Sequence, residues 1–172
     1  AGQKRGLDGE SYKLSIETLP NVALSKTYAH DGQIADSAAT ATAMVTGAKV
    51  NMRTLGLTKE APFGRCPDSK GHEATTLFEL AEKAGLATGI VSTARITHAT
   101  PASTYAKSAS RDWENDKAMG DQAGSGCKDI AAQLIEWSAG DGFEVAFGGG
   151  RSNFMPSTAK DPEYEKKSGR RG

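Results

Sequence analysis

"EATTLFELAEKAGLATGIVSTARIT", residues 73–97, holds the pattern that decides the fold. Leu77, Leu80, Ala81 and Ala84 recur at three- and four-residue spacing, which predicts an amphipathic helix over 73–85 with Gly85 as its stop. Ile90 and Val91 then centre a strand over 86–97. The alternation returns further on. "CKDIAAQLIEWSAG" (127–140) predicts a helix with Ile130, Leu134 and Trp137 on one stripe, and "FEVAFGGG" (143–150) a buried strand entering a glycine turn. Between them "TPASTYAKSAS" (100–110) predicts a helix with Thr100 as N-cap and Pro101 at the first helical position. Upstream, "NVALSKTYA" (21–29) reads as a strand or strand edge. Helices alternating with strands in this order predict an α/β fold with a parallel-type sheet covered on both faces. Ligands of such sheets bind beyond the carboxyl ends of the strands.

Composition limits the function. The chain has 172 residues, the length of one ordinary domain, and 21 Lys plus Arg balance 21 Asp plus Glu. No global field therefore argues for nucleic acid or an acidic membrane surface. No apolar run approaches the roughly 20 residues of a membrane span, and the first residues lack the apolar core of a signal peptide, so any export signal is expected to lie outside these residues. The stretch 107–126 is polar and predicts a surface excursion, and residues 160–172, ending "KKSGRRG", predict a flexible, solvated end. Cys66 and Cys127 leave two readings open, a pair of buried thiols or one disulfide. A bridge would close a loop of about 60 residues and stabilise by roughly 4 kcal/mol on the chain-entropy model.

The chemistry concentrates in "IADSAATATAMVTGAK", residues 34–49. Small residues over 36–48 predict a helix with Asp36 or Ser37 at its N-cap and Gly47 near its end. Ser37 would then sit where unpaired N–H groups favour an anion. Ala38, Ala39 and Ala41 would let a ligand approach closely. A plain capping pair explains the same residues equally well. A serine nucleophile needs activation, and the three histidines, His30, His72 and His98, form no hydrolase motif with it. That leaves a metal ion as the agent that lowers the hydroxyl pKa.

"VALSKTYAHDGQIADSAATATAMVTGAKVNMRTLGL" resembles the nucleophile segment of the alkaline phosphatases. The likeness continues through "GIVSTARITHATPASTYAKSASRDW", "GCKDIAAQLI", "FGGGRSNFMP" and "DPEYE", in order and over nearly the whole chain. It implies a three-layer α/β sandwich, a mostly parallel sheet flanked by helices, of which residues 1–172 are an incomplete catalytic domain. It also implies phosphomonoester hydrolysis through a phosphoserine, with two Zn²⁺ and one Mg²⁺. Carried to matching positions, Ser37 is the nucleophile and a zinc ligand, Asp36 orients the site, and Arg111 clamps two phosphate oxygens. Thr100 is a Mg²⁺ ligand, and His98 lies near that ion. Cys66 and Cys127 match the disulfide of animal-type members, which tips the choice towards a bridge and, with His98, towards the animal-type pattern. A homodimer and a periplasmic or extracellular setting are expected on the same ground.

The remaining metal ligands of the family have no match here. His30 and His72 read as isolated surface residues, and zinc needs three or four ligands per ion. The chain thus resembles an N-terminal portion whose metal ligands lie in the remaining part of the enzyme, and alone it is expected to be inactive. A non-catalytic module that binds phosphate or a protein partner through the same helix start is the competing reading.

Overall fold

A computed structural model describes residues 3–162. The described residues form four α-helices, α1 (Ser37–Thr46), α2 (Leu77–Lys83), α3 (Ala99–Ala102) and α4 (Ile130–Ile135), and two strands, β1 (Gly89–Arg95) and β2 (Val145–Gly149). The strands pair in parallel, Gly89 opposite Val145 and Val91 opposite Phe147, so the expected α/β order with a parallel sheet holds. Helices α2 and α4 end within a turn of their apolar stripes, whereas α3 is a single turn.

Helix α1 is bounded as its sequence requires. Asp36 is the N-cap and accepts a hydrogen bond from the Ala39 N–H, while Gly47 closes the helix in the left-handed conformation at φ 76°. Ala38, Ala41 and Thr42 are buried, and small side chains let α1 lie close against α3, where Ala99 and Ala102 are buried too. Around this contact Leu55, Ile90, Ile96, Tyr105 and Ile130 form the main core. The α4 stripe joins it as expected, and Trp137 stacks on Phe143 with ring centroids 3.9 Å apart. Tyr105 is buried, donates its hydroxyl to the Ile96 carbonyl at 2.9 Å, and burial pushes its pKa well up.

Several expectations are corrected. Residues 21–29 form no strand: 21–28 run irregular and exposed, Val22 and Leu24 fully so, and Ala29 is buried at their end, because no described strand lies beside them to complete a ladder. They are tied down by Lys49, whose Nζ donates to the carbonyls of Lys26 (3.0 Å) and Tyr28 (2.6 Å). In α2 the Leu77 and Leu80 stripe faces outward, and Phe78 and Glu82 face the core. The roll of that helix is set by its N-cap. The Thr76 hydroxyl is buried, donating to the Thr104 carbonyl at 3.0 Å and accepting from the Glu79 N–H at 3.1 Å. The helix foreseen over 100–110 spans only Ala99–Ala102 and is capped by His98, which leaves Thr100 exposed within its first turn. β2 is exposed along its length and β1 buries Ile90 but shows Val91 to solvent, so among the described residues the sheet is not covered on both faces as expected.

The stretch 107–126 is folded inward more than its polarity suggests. Ser108, Ala109, Ser110, Trp113, Asn115 and Met119 are buried. Trp113 and Met119 join Leu57, Ala61 and Cys66 in a second core, which a Cys66–Cys127 disulfide closes. Polar residues survive there because each finds a partner, as when the Ser108 hydroxyl donates to the Ser110 carbonyl at 2.8 Å. Gly56 is required where these layers meet: a Cβ on it would lie 2.3 Å from the Ala106 carbonyl oxygen, at φ +58°. Most of the end expected to be flexible, 163–172, lies outside the described residues. Asp161 within it is buried and paired with Arg151 at 2.9 Å.

Candidate active site

The start of α1 brings the sequence candidates together. Asp36 is half-buried, and its Oδ1 accepts from the N–H groups of Ala39 (3.2 Å) and Arg53 (3.0 Å). Its Oδ2 accepts from Arg111 Nη1 at 2.8 Å. The same nitrogen donates to Ser37 Oγ at 2.9 Å, so one guanidinium corner touches both members of the Asp-Ser pair across 74 residues of chain. Burial opposes ionisation of Asp36. The donors from Arg53, Arg111 and Ala39 outweigh it and hold the carboxyl below its usual range.

His98 supplies the third side. Its Nε2 lies 3.2 Å from Arg111 Nη2. A guanidinium only donates, so Nε2 accepts and the imidazole is neutral with its proton on Nδ1. Burial depresses the His98 pKa, and the positive Arg111 and Arg95 depress it further, which favours that neutral form. Thr100 stands one residue beyond Ala99 on α3, beside this cluster in sequence, and no described hydrogen bond joins it to Asp36, Ser37 or Arg111. His30 is exposed, and His72 is half-buried rather than on the surface; neither enters the site.

Two contributors escaped the sequence reading. Glu114 accepts from Arg95 Nε (2.8 Å) and Nη2 (2.6 Å), from the Thr97 hydroxyl (2.6 Å) and from Asn153 Nδ2 (3.0 Å). Despite burial, these donors and the Arg95 charge hold its carboxyl low. The network ties β1 to the loop that carries Arg111. Arg53 is the second: it reaches the site through its main chain, donating to Asp36 and accepting from the Arg111 N–H at 2.8 Å. Only charge density in "SRDWEN" hinted at the first, and nothing local marked the second.

Among the described residues, Glu82, Asp141 and Glu144 are the three acidic or imidazole ligands that converge, and that group contains none of Ser37, His98 and Thr100. Ser37, His98 and Thr100 offer at most three donors, and His98 Nε2 is already engaged by Arg111, so they cannot by themselves hold a zinc ion, which takes three or four protein ligands.

The family model for alkaline phosphatase matches residues 1–172. The chain belongs to the alkaline phosphatase family. It is 44% identical over 172 residues to the tissue-nonspecific alkaline phosphatase of Gallus gallus, covering 99% of this chain and 33% of that protein. A membrane-bound alkaline phosphatase of Bombyx mori is 44% identical over 166 residues, covering 94% and 30%. The crystal structure of a cold-active alkaline phosphatase from a psychrophilic Shewanella sp. superposes with a TM-score of 0.64 at 28% identity, over 86% of this chain and 31% of that one. This alkaline phosphatase chain spans about a third of the length of the curated relatives it matches. Among the described residues no helix is long and apolar enough to cross a membrane.

Proposed function

We propose that this chain carries the nucleophile and the phosphate clamp of a phosphomonoesterase. The observation that bears the weight is Arg111 Nη1, shared between Asp36 Oδ2 at 2.8 Å and Ser37 Oγ at 2.9 Å. A capping pair alone has no use for a guanidinium on the serine. An anion-binding nucleophile does, because planar Arg holds two phosphate oxygens at once and Lys cannot.

In this reading a phosphate monoester binds against the Arg111 guanidinium, whose five N–H donors exceed the three engaged at most by Asp36, Ser37 and His98. Ser37 Oγ forms a bond to phosphorus as the ester oxygen leaves and takes up a proton. Water then cleaves the phosphoserine, releasing phosphate and restoring the hydroxyl. Asp36 fixes the guanidinium, and neutral His98 holds its other corner without adding a repelling charge. Two Zn²⁺ and one Mg²⁺ are the cofactors proposed; Ser37 would be this chain's ligand to zinc and Thr100 its ligand to magnesium, with His98 near that ion. The rest of the ligand set belongs to the remaining two-thirds of a relative's length. A homodimer acting outside the cytoplasm, in the periplasm or extracellularly, completes the proposal, and the closed disulfide is in keeping with it.

The test is Ser37→Ala in the whole enzyme. Incubation with a labelled phosphomonoester should mark a serine in the wild type and none in the variant, and turnover should fall at least about a thousandfold. Retained labelling or turnover in the variant would reject the assignment.

A further inference from the structure

We propose that Arg53 is a positioning residue, whose main chain in the left-handed conformation fixes the Arg111 clamp against the Asp36-Ser37 helix start. The proposal rests on the phosphomonoesterase reading above.

Arg53 is the sole non-glycine residue with positive φ among the described residues, at 66°. It occupies the third place of a turn over 51–54 in which the Thr54 N–H donates to the Asn51 carbonyl at 3.3 Å. A positive φ at that place is what glycine or asparagine ordinarily supplies, and an L side chain there is strained. Strain of this kind persists only where the surroundings over-determine it. Here they do. Asn51 Nδ2 donates to the carbonyls of Lys59 (2.7 Å) and Ala61 (2.9 Å), and the Met52 N–H donates to Asp31 Oδ1 at 2.7 Å.

The strained unit does one thing. Its N–H reaches Asp36 Oδ1 at 3.0 Å, and its carbonyl receives the Arg111 N–H at 2.8 Å. One peptide unit on each side of the Arg53 Cα thus bridges the helix cap to the backbone of the clamp. Rotating φ to an ordinary negative value swings the N–H relative to the carbonyl, and one of the two bonds is lost. The side chain holds the conformation from outside. Its guanidinium lies 4.4 Å from the centroid of the Phe63 ring and pairs with Asp112, the residue after the clamp.

The test compares Arg53→Gly, Arg53→Ala, Arg53→Lys, Arg53→Val and Arg53→Pro in the whole enzyme. If the main chain is the working part, kcat/KM ranks Gly above Ala above Val, since only Gly adopts positive φ without penalty and a branched side chain pays most. Val should lie about tenfold below Gly. Pro removes the donor and locks φ near −65°, so it should lie about a hundredfold below Gly, with a matching rise in the inhibition constant for inorganic phosphate. Lys outranking Gly, or Pro matching it, would overturn the proposal in favour of a side-chain role. The Arg111 amide is the second readout: its hydrogen exchange should stay slow in the Gly variant and accelerate in Val and Pro. Unchanged exchange in Val overturns the clamp. That arm is independent of turnover, so a wild type inactive on phosphomonoesters refutes the proposed function and leaves the clamp tested.

Discussion

Replacing Asp36 by alanine removes three interactions at once, and their sum can be estimated. The N-cap bond to Ala39 contributes about 1 kcal/mol. The acceptor of the Arg53 N–H contributes about another 1 kcal/mol. The charged contact with Arg111 contributes about 1.5 kcal/mol, the low end for such bonds, because the two side chains remain 17% and 20% exposed. Asp36→Ala should therefore lower the unfolding free energy by about 3 to 4 kcal/mol. Asp36→Asn keeps both backbone donors satisfied but turns an amide N–H towards the Arg111 donor in place of Oδ2, so it should cost about 1.5 kcal/mol, the Arg111 contact alone. Urea unfolding followed by circular dichroism at pH 7 measures both, and a double-mutant cycle with Arg111→Ala isolates the pair. The acid limb gives the sign. Asp36 has a folded pKa below its unfolded one, so its contribution is complete above about pH 4 and fades as pH falls through the folded value. The acid-side loss of stability should accordingly be shallower in Asp36→Asn. Variants within about 0.5 kcal/mol of each other and of the wild type would refute the reasoning.

Reducing the Cys66–Cys127 disulfide, whose cysteines are 61 residues apart, should cost about 4 kcal/mol, measured as the shift in urea midpoint with and without dithiothreitol. Ile130→Ala, at a fully buried core position, should cost about 3 kcal/mol, whereas Ile135→Ala, three-quarters exposed one turn later, should change stability by less than about 0.5 kcal/mol in the same assay. The His98 ring should titrate below the ordinary 6.5 by nuclear magnetic resonance. Because the folded value is depressed by burial and by the Arg111 and Arg95 charges, stability should decline as pH drops from about 6.5 through that value, and a midpoint above 6.5 would contradict the geometry.

How much could be read beforehand follows from the range of each interaction. Helix α1 was legible because Asp36 and Gly47 bound it from within a few residues, and the alternation of α2, β1, α4 and β2 because apolar spacing is a local signal. The face of α2 was not legible, since Leu77 and Leu80 form the better stripe on paper and a buried bond from Thr76 to Thr104 turned the helix away from it. Residues 107–126 looked like a surface loop because polarity is read residue by residue. Whether a serine is buried depends on a partner elsewhere, here the Leu55 backbone for that of Ser108, and on the disulfide that draws Cys127 onto the second core.

The site divides in the same way. Residue types and their order along the chain determined which side chains are proposed to carry the chemistry, because the resemblance ran through the Asp-Ser pair, the "SRDW" arginine and the "HAT" segment. Tertiary structure alone decided that one Arg111 nitrogen bridges Asp36 and Ser37, that Glu114 holds Arg95, and that Arg53 enters by its backbone. Each of those contacts joins residues 17 or more apart in the chain, and hydrogen bonds of about 3 Å depend on how layers pack, which no local pattern of apolar and polar residues encodes.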